Sequence, residues 1–232
     1  MSFNVPFGGQ EDKSEELAEA PIKKSHKRGQ LRHCTEGRYS RCFMRTQRNE
    51  YRRCFSESKL LDLITEDFKD GESWHFLTAG DIDSLSFLKI ILRQQDLDYL
   101  MLSTWCMADD DVLQLREWLK AGKIKRLDCY MGEIFPGSYK SEYATLQQVI
   151  EEFTPSERIA VFRNHSKIFA GTGKKYDFGI ESSANINTNP RNENACITIG
   201  HDIFMFYKEF YDKIKSFTKD YPNWQPWTPK KS

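Results

Sequence analysis

The alternation of apolar, strand-like runs with amphipathic helical segments after about residue 58 is the feature that most limits the fold. Leu97–Thr104 is an almost continuous apolar run and predicts a buried strand. Residues 109–119 carry apolar side chains at helical spacing, and Gly122 follows them, which predicts a helix that ends there. A second helix is predicted over 141–153 and another strand over 158–163. This alternation predicts an α/β fold with a mixed, mostly parallel sheet flanked by helices.

The composition excludes several classes of protein. The chain has 232 residues, of which 39% are hydrophobic and 13% aromatic, enough for one well-packed domain with appendages. No apolar stretch approaches the length of a transmembrane helix, so we expect no membrane partner. The first twenty residues lack the basic start and apolar run of a secretory signal, and the six cysteines follow no paired spacing. We therefore expect a cytoplasmic protein with free thiols.

The charges are balanced over the whole chain but strongly segregated. Residues 22–53 hold eleven Lys or Arg side chains and only two acids, a local charge of +9 that leaves −9 on the rest. Such a block is typical of proteins with a polyanionic partner, although a solvated tail or an arm between subunits would also explain it. The predicted nucleic-acid-binding residues are Arg28, Arg32, Arg38, Arg41, Arg45, Arg48, Arg52 and Arg53.

Aromatic and metal-ligating side chains also occur in and near this block. Four aromatic rings could stack on exposed bases, namely Tyr39, Phe43, Tyr51 and Phe55. Five histidines and cysteines lie close together in sequence, namely His26, His33, Cys34, Cys42 and Cys54. They lack the short paired spacing that closes a tetrahedral zinc site, so no metal site is predicted.

These patterns divide the chain into three parts. Residues 1–57 form an N-terminal extension, first acidic and then basic, that we expect to be partly disordered. Residues 58–218 form the α/β domain, and 219–232 form a tail that contains proline and tryptophan.

Two charged residues on one predicted strand indicate an anion site. His165 and Lys167 are two residues apart in a strand predicted over 165–170, so their side chains project from the same face. That strand is predicted to pair with 176–181 across a turn at 171–173. A neutral imidazole can attack or carry a proton while the ammonium binds oxygens of an anion. Each residue taken singly also fits an ordinary position in a strand.

Three further side chains follow in a suitable order. Ser183 and Asn185, at the end of the second strand, would offer neutral hydrogen-bond donors to a phosphate. The carboxylate of Glu193 could orient an imidazole through its Nδ1 hydrogen. Singly, Ser183 and Asn185 also suit a turn, and Glu193 could pair only with Arg191. The ordered set favours a phosphate site over these separate explanations.

The sequence of H-x-K, hairpin, Ser-Ser-x-Asn turn and a following glutamate resembles the phospholipase D superfamily. The similarity is greatest to its single-motif, nuclease-like members and covers about residues 70–217. The resemblance implies the α/β fold of that family. It also implies phosphodiester cleavage by two successive displacements, without a metal or another cofactor.

The resemblance implies a role for each motif residue. His165 would be the nucleophile and form a phosphohistidine, and Lys167 and Asn185 would hold the non-bridging oxygens. Ser183 would help to position the phosphate, and Glu193 would steady the histidine. The second displacement needs a second histidine, so a chain with one motif is implied to form a homodimer that joins two copies of His165.

One position departs from the family pattern. The family usually has an aspartate five residues after the lysine, where this chain has Thr172. Because the histidine, lysine, asparagine and glutamate of the pattern are all present, we expect a metal-independent, phospholipase D-like nuclease. The alternative is a catalytically degenerate nucleic-acid-binding protein with the same fold.

Overall fold

The computed structural model describes residues 48–54, 57–78, 82–153, 158–186, 192–218 and 223–229. The strands of these ranges are β1 (Arg48–Cys54), β2 (Glu72–Thr78), β3 (Leu97–Thr104), β4 (Leu127–Gly132), β5 (Arg158–Phe162), β6 (Ile168–Gly173), β7 (Asp177–Ser182) and β8 (Glu193–Ile199). The helices are α1 (Glu57–Asp62), α2 (Ser84–Gln94), α3 (Asp109–Lys120), α4 (Phe135–Ser138), α5 (Lys140–Phe153) and α6 (His201–Tyr211).

The strands form one mixed sheet in the order β1-β2-β8-β7-β6-β3-β4-β5. The α/β prediction is confirmed, but the prediction of a mostly parallel sheet is wrong. Three neighbouring pairs are parallel, β1/β2, β3/β4 and β4/β5, and the other four are antiparallel. The antiparallel pairing of β6 and β7 has a local cause, because only three residues separate these strands. That is too few for the crossover that parallel neighbours require.

Each face of the sheet carries its own hydrophobic core. On one face, Leu100 and Leu102 of β3 join the core that includes Leu88 of α2 and Leu115 of α3. On the other face, the intervening Tyr99 and Met101 join residues of α6. Successive strand residues point to opposite faces. The continuous apolar run of β3 therefore reflects a strand that is covered on both sides.

Two predicted elements have different bounds in the structure. The strand predicted over 165–170 begins at Ile168, so His165 and Lys167 lie in the loop that precedes β6. The turn predicted at 171–173 lies within β6, and the connection to β7 is 174–176. The helix α6 ends at Tyr211. The chain beyond it turns back to the sheet, where the amide of Phe217 donates to the carbonyl of Val161 at 2.6 Å.

The chain segments that carry the motif residues meet at one end of the strands, the end where β3 and β4 finish. Ser103 near the end of β3 pairs with Ile168 at the start of β6, and Ile168 pairs with Glu181 near the end of β7. Thr78 at the end of β2 pairs with Glu193 at the start of β8. The carboxyl ends of parallel strands are where α/β sheets usually bind ligands.

The first and the last described segments lie on the outer parts of the sheet. β1 belongs to the predicted N-terminal extension, yet it forms the edge strand beside β2. Of the predicted tail, 223–229 packs on the α6 face, and we call this segment the C-terminal strap. Its Trp227 stacks on buried Tyr99 with ring centroids 5.1 Å apart, and Trp224 lies 4.0 Å from the Arg158 guanidinium. No helix in the described ranges has the length and apolar character that crossing a membrane requires.

We expect Trp227→Ala to destabilise the domain. The substitution removes a ring that stacks on Tyr99 and meets Phe204 edge-on, so the free energy of unfolding should fall by about 2 kcal/mol. Urea unfolding followed by circular dichroism measures this change. Thr228→Ala, at an exposed position of the same strap, is the control and should leave the midpoint unchanged. Equal midpoints for the two variants would contradict a packing role for the strap.

We also expect stability to depend on the protonation of Asp111, in the first turn of α3. Burial, with the nearby Asp83 carboxylate acting in the same direction, raises the pKa of Asp111 to about 7. The folded state thus binds this proton more tightly than the unfolded chain, so stability falls as the pH rises from about 4 to about 7.

Asp111→Asn removes this titration. The variant should be more stable than the wild type by about 1 kcal/mol at pH 8, after allowance for solvent screening, and the gain should vanish near pH 4. Thermal unfolding at both pH values measures it, with Glu117→Gln at an exposed position of the same helix as the control. A gain for Asp111→Asn that is the same at both pH values would refute the assignment.

Candidate functional site

The loop 163–167, which carries His165 and Lys167, is fixed by the buried amide of Asn164. The Nδ2 atom of Asn164 donates to Ser103 Oγ at 2.9 Å and to the carbonyl of Tyr130 at 3.0 Å. Its Oδ1 atom accepts from the amide of Ser166 at 3.0 Å. These bonds hold the loop across the ends of β3 and β4. Sequence analysis missed Asn164, because an asparagine in a loop is too common to stand out.

The structure brings His165 and Lys167 into contact. The Nζ atom of Lys167 lies 3.0 Å from His165 Nδ1 and donates to the His165 carbonyl at 2.7 Å. His165 is exposed, whereas Lys167 is only 5% exposed. The imidazole therefore lies at the surface with an ammonium buried beside it.

The Lys167 ammonium is poorly compensated. Burial lowers the pKa of Lys167, and the nearby Cys106 and Glu193 act in the opposite direction. Within the described part of the chain, no ion pair includes Lys167. A buried ammonium without a carboxylate partner is unfavourable, and a bound anion would offset its cost.

Ser183 and Glu193 bond to each other. Ser183 Oγ donates to the Glu193 carboxylate, and the amide of Asn194 donates to Ser183 Oγ at 3.0 Å. The described contacts include no hydrogen bond between Glu193 and His165, so the role of Glu193 in steadying the ring stays a prediction. Glu193 is close enough to Lys167 to affect its ammonium.

Asn185 lies in the loop that follows β7, and this loop is bonded to two helix N-termini. The Asn185 carbonyl accepts from the amide of Ser84 in α2, and the Ile186 carbonyl accepts from the amide of Ala108 before α3 at 3.0 Å. The Oδ1 atom of Asn185 is buried and has no hydrogen-bond partner in the structure. This oxygen only accepts hydrogen bonds, so a contact from Asn185 to a phosphate oxygen would have to use its Nδ2 donor.

Two residues that follow β3 complete the surroundings of His165. The ring centroids of Trp105 and His165 are 5.3 Å apart. Cys106 is 1% exposed, and burial raises the pKa of its thiol, which is also hydrogen-bonded to Tyr139. The thiol therefore stays protonated at neutral pH. Sequence analysis missed both, although their place directly after a buried strand was an available signal.

The departure from the family motif lies far from this group of residues. Thr172 is near the far end of β6, where it pairs with Asp177 of β7. Thr172 and Asp177 line a cavity at the opposite edge of the sheet, and Asp177 bonds to His201 Nδ1 at 2.6 Å. Thr172 is therefore not part of the surroundings of His165.

The predicted nucleic-acid-binding arginines are only partly covered by the structure. Arg48, Arg52 and Arg53 lie in β1, the outermost strand of the sheet beside β2. Five others lie outside the described residues, namely Arg28, Arg32, Arg38, Arg41 and Arg45. The histidines and cysteines at 26, 33, 34 and 42 lie outside them as well. A search of the described side chains finds no group of three or more His, Cys, Asp or Glu that could hold a metal ion.

Comparison with known proteins adds no family assignment to this geometry. No family model matches the sequence, and no curated protein matches it. The side chains near the end of β3 and the start of β6 are therefore the evidence for function.

Proposed function

We propose that the protein is a phospholipase D-like phosphodiesterase that cleaves nucleic acid. The observation that carries this proposal is the pairing of an exposed imidazole, His165, with the buried ammonium of Lys167. The ring is accessible to a substrate, and the ammonium supplies positive charge that no described ion pair neutralises. Asn185, whose Nδ2 group could donate to a phosphate oxygen, belongs to a neighbouring loop at the same end of the strands.

The first step would form a bond between His165 Nε2 and phosphorus. As the substrate phosphate binds, its non-bridging oxygens would draw the Lys167 ammonium away from His165 Nδ1. That atom could then carry the ring hydrogen, which leaves the lone pair of Nε2 free to attack. The bond from phosphorus to the leaving oxygen breaks, and the ammonium and the Asn185 amide stabilise the added charge.

The first step needs an acid that protonates the leaving oxygen, and the second step needs a base that removes a proton from water. We propose that His165 of the partner subunit protonates the leaving oxygen and then removes a proton from water. That water attacks phosphorus and breaks the P–N bond, which regenerates the first imidazole. The exposure of His165 supports this proposal, because a two-fold axis beside an exposed ring can bring two rings together.

Two features support nucleic acid as the substrate and the cytoplasm as the location. Residues 22–53 carry a local charge of +9, which suits a polyphosphate backbone. Cys106, Cys129 and Cys196 are free thiols, as in a reducing compartment.

The alternative is a nucleic-acid-binding protein that has lost turnover, and Thr172 is the feature that favours it. Its place at the far end of β6 weakens this argument, since Thr172 does not contact the residues around His165. We therefore favour the enzyme.

We expect the wild type to cut labelled DNA or RNA oligonucleotides in EDTA. His165→Ala should lower the rate by at least about 1000-fold, because it removes the nucleophile. Lys167→Met should lower it by about 100-fold, because it removes the charge that stabilises the transition state. His201→Ala, at an exposed histidine on the opposite edge, is the control and should keep full activity. Binding without cutting would support the alternative, and cutting that survives His165→Ala would refute the mechanism.

We expect the active species to be a dimer with twice the chain mass of 27.3 kDa, measured by sedimentation equilibrium. After subunit exchange with increasing proportions of the His165→Ala variant at constant total protein, activity should fall as the square of the wild-type fraction, because each reaction uses both imidazoles. A fall in simple proportion to the wild-type fraction, or an active monomer, would rule out the shared site.

A further inference from the structure

Trp105 presents a flat ring beside the imidazole of His165. It follows β3 directly, is half-buried, and its ring plane is inclined by 50° to that of His165 at a centroid distance of 5.3 Å. The indole packs only partly against the hydrophobic core. Part of its surface therefore remains available to a molecule bound at His165.

The position of this indole is fixed by Gly132 at the end of β4. A Cβ atom at residue 132 would lie 2.5 Å from Trp105 Cδ1 and 3.1 Å from the carbonyl oxygen of Asn164. Only a residue without a side chain allows the indole and the His165 loop to approach β4 this closely. Trp105 and the loop 163–167 therefore both pack closely against Gly132.

We propose that Trp105 stacks on a nucleobase adjacent to the phosphate that His165 attacks, and that the substrate is therefore single-stranded or locally unpaired nucleic acid. This inference rests on the proposed function. Aromatic side chains stack on bases of any sequence when the face of the base is free. In a duplex the neighbouring bases cover both faces, so a ring at the protein surface reaches only an unpaired base.

A carboxylate near the site acts in the same direction. Glu133 is exposed and accepts a hydrogen bond from the amide of Asn164 at 3.3 Å. This places a negative charge next to the His165 loop. A duplex brings a second line of phosphates to such a surface, whereas a single strand brings one. Repulsion by Glu133 therefore disfavours the duplex more than the single strand.

The test uses the full chain and three labelled DNA substrates of one sequence. They are a single strand, its duplex, and a single strand with tetrahydrofuran abasic residues on both sides of the cut phosphate. The wild type should cut the single strand at least about tenfold faster than the duplex. Trp105→Ala should lower the rate on the intact single strand about tenfold, and Trp105→Phe should keep most of it. On the abasic strand, Trp105→Ala and the wild type should be equal.

Phe210→Ala, at an aromatic residue that is 51% exposed on α6, is the matched control and should not change any rate. If Trp105→Ala cuts the intact single strand as fast as the wild type, the inference fails while the proposed function stands. If Trp105→Ala slows the abasic and intact strands equally, the residue affects folding or positioning, and the stacking proposal is overturned. Trp105-dependent hydrolysis of phosphatidylcholine vesicles, without cleavage of DNA, would also overturn it, since an indole can bind a choline cation.

Fluorescence anisotropy with the same three substrates separates this inference from the proposed function. If the wild type cuts none of them, and does not cut the RNA strand of the same sequence, the proposed function fails. Tighter binding of the intact strand than of the abasic strand, lost in Trp105→Ala, would still support stacking. Equal binding of the two strands, or no binding, would overturn the inference as well.

Discussion

The antiparallel placement of β6 and β7 between β3 and β8 is the constraint on which the site depends. Because neighbouring strands run in opposite directions there, the start of β6, the end of β7 and the start of β8 all reach the edge where β3 ends. Residues that are distant in sequence, such as Trp105, Lys167 and Glu193, are thereby brought to one edge. In a fully parallel sheet, the starts and ends of the strands would lie on opposite edges.

Buried charged side chains form ion pairs at one place in the fold, whereas at another the buried Lys167 has no described ion pair. Under the C-terminal strap, Asp128 is fully buried but accepts from Tyr99 at 3.0 Å and pairs with Arg126. The Lys208 ammonium, also buried, pairs with Asp212. Lys167 is comparably buried, yet the described hydrogen bonds of its ammonium are to His165 alone. Charges that stabilise a fold are usually paired, so an ammonium left in this state is better explained by a ligand than by packing.

The sequence allowed the fold class to be predicted better than the bounds of the strands near His165. The alternation of strands and helices was sufficient for the α/β class, and a hairpin between β6 and β7 was predicted, although its turn was placed at 171–173 and the connection is 174–176. The start of β6 was misplaced because the Asn164 side chain, through its bonds to Ser103 and Tyr130, holds 163–167 as a loop. Those partners come from β3 and β4, so no local pattern could reveal them.

The two edges of the sheet separate the residues of the proposed chemistry from the departure in the motif. Thr172 and its neighbour Asp177 lie at the edge where Asp177 bonds to His201. A carboxylate is therefore still present beside position 172, supplied by the adjacent strand. The positive charge beside His165 comes from Lys167, at the opposite end of the hairpin from Thr172.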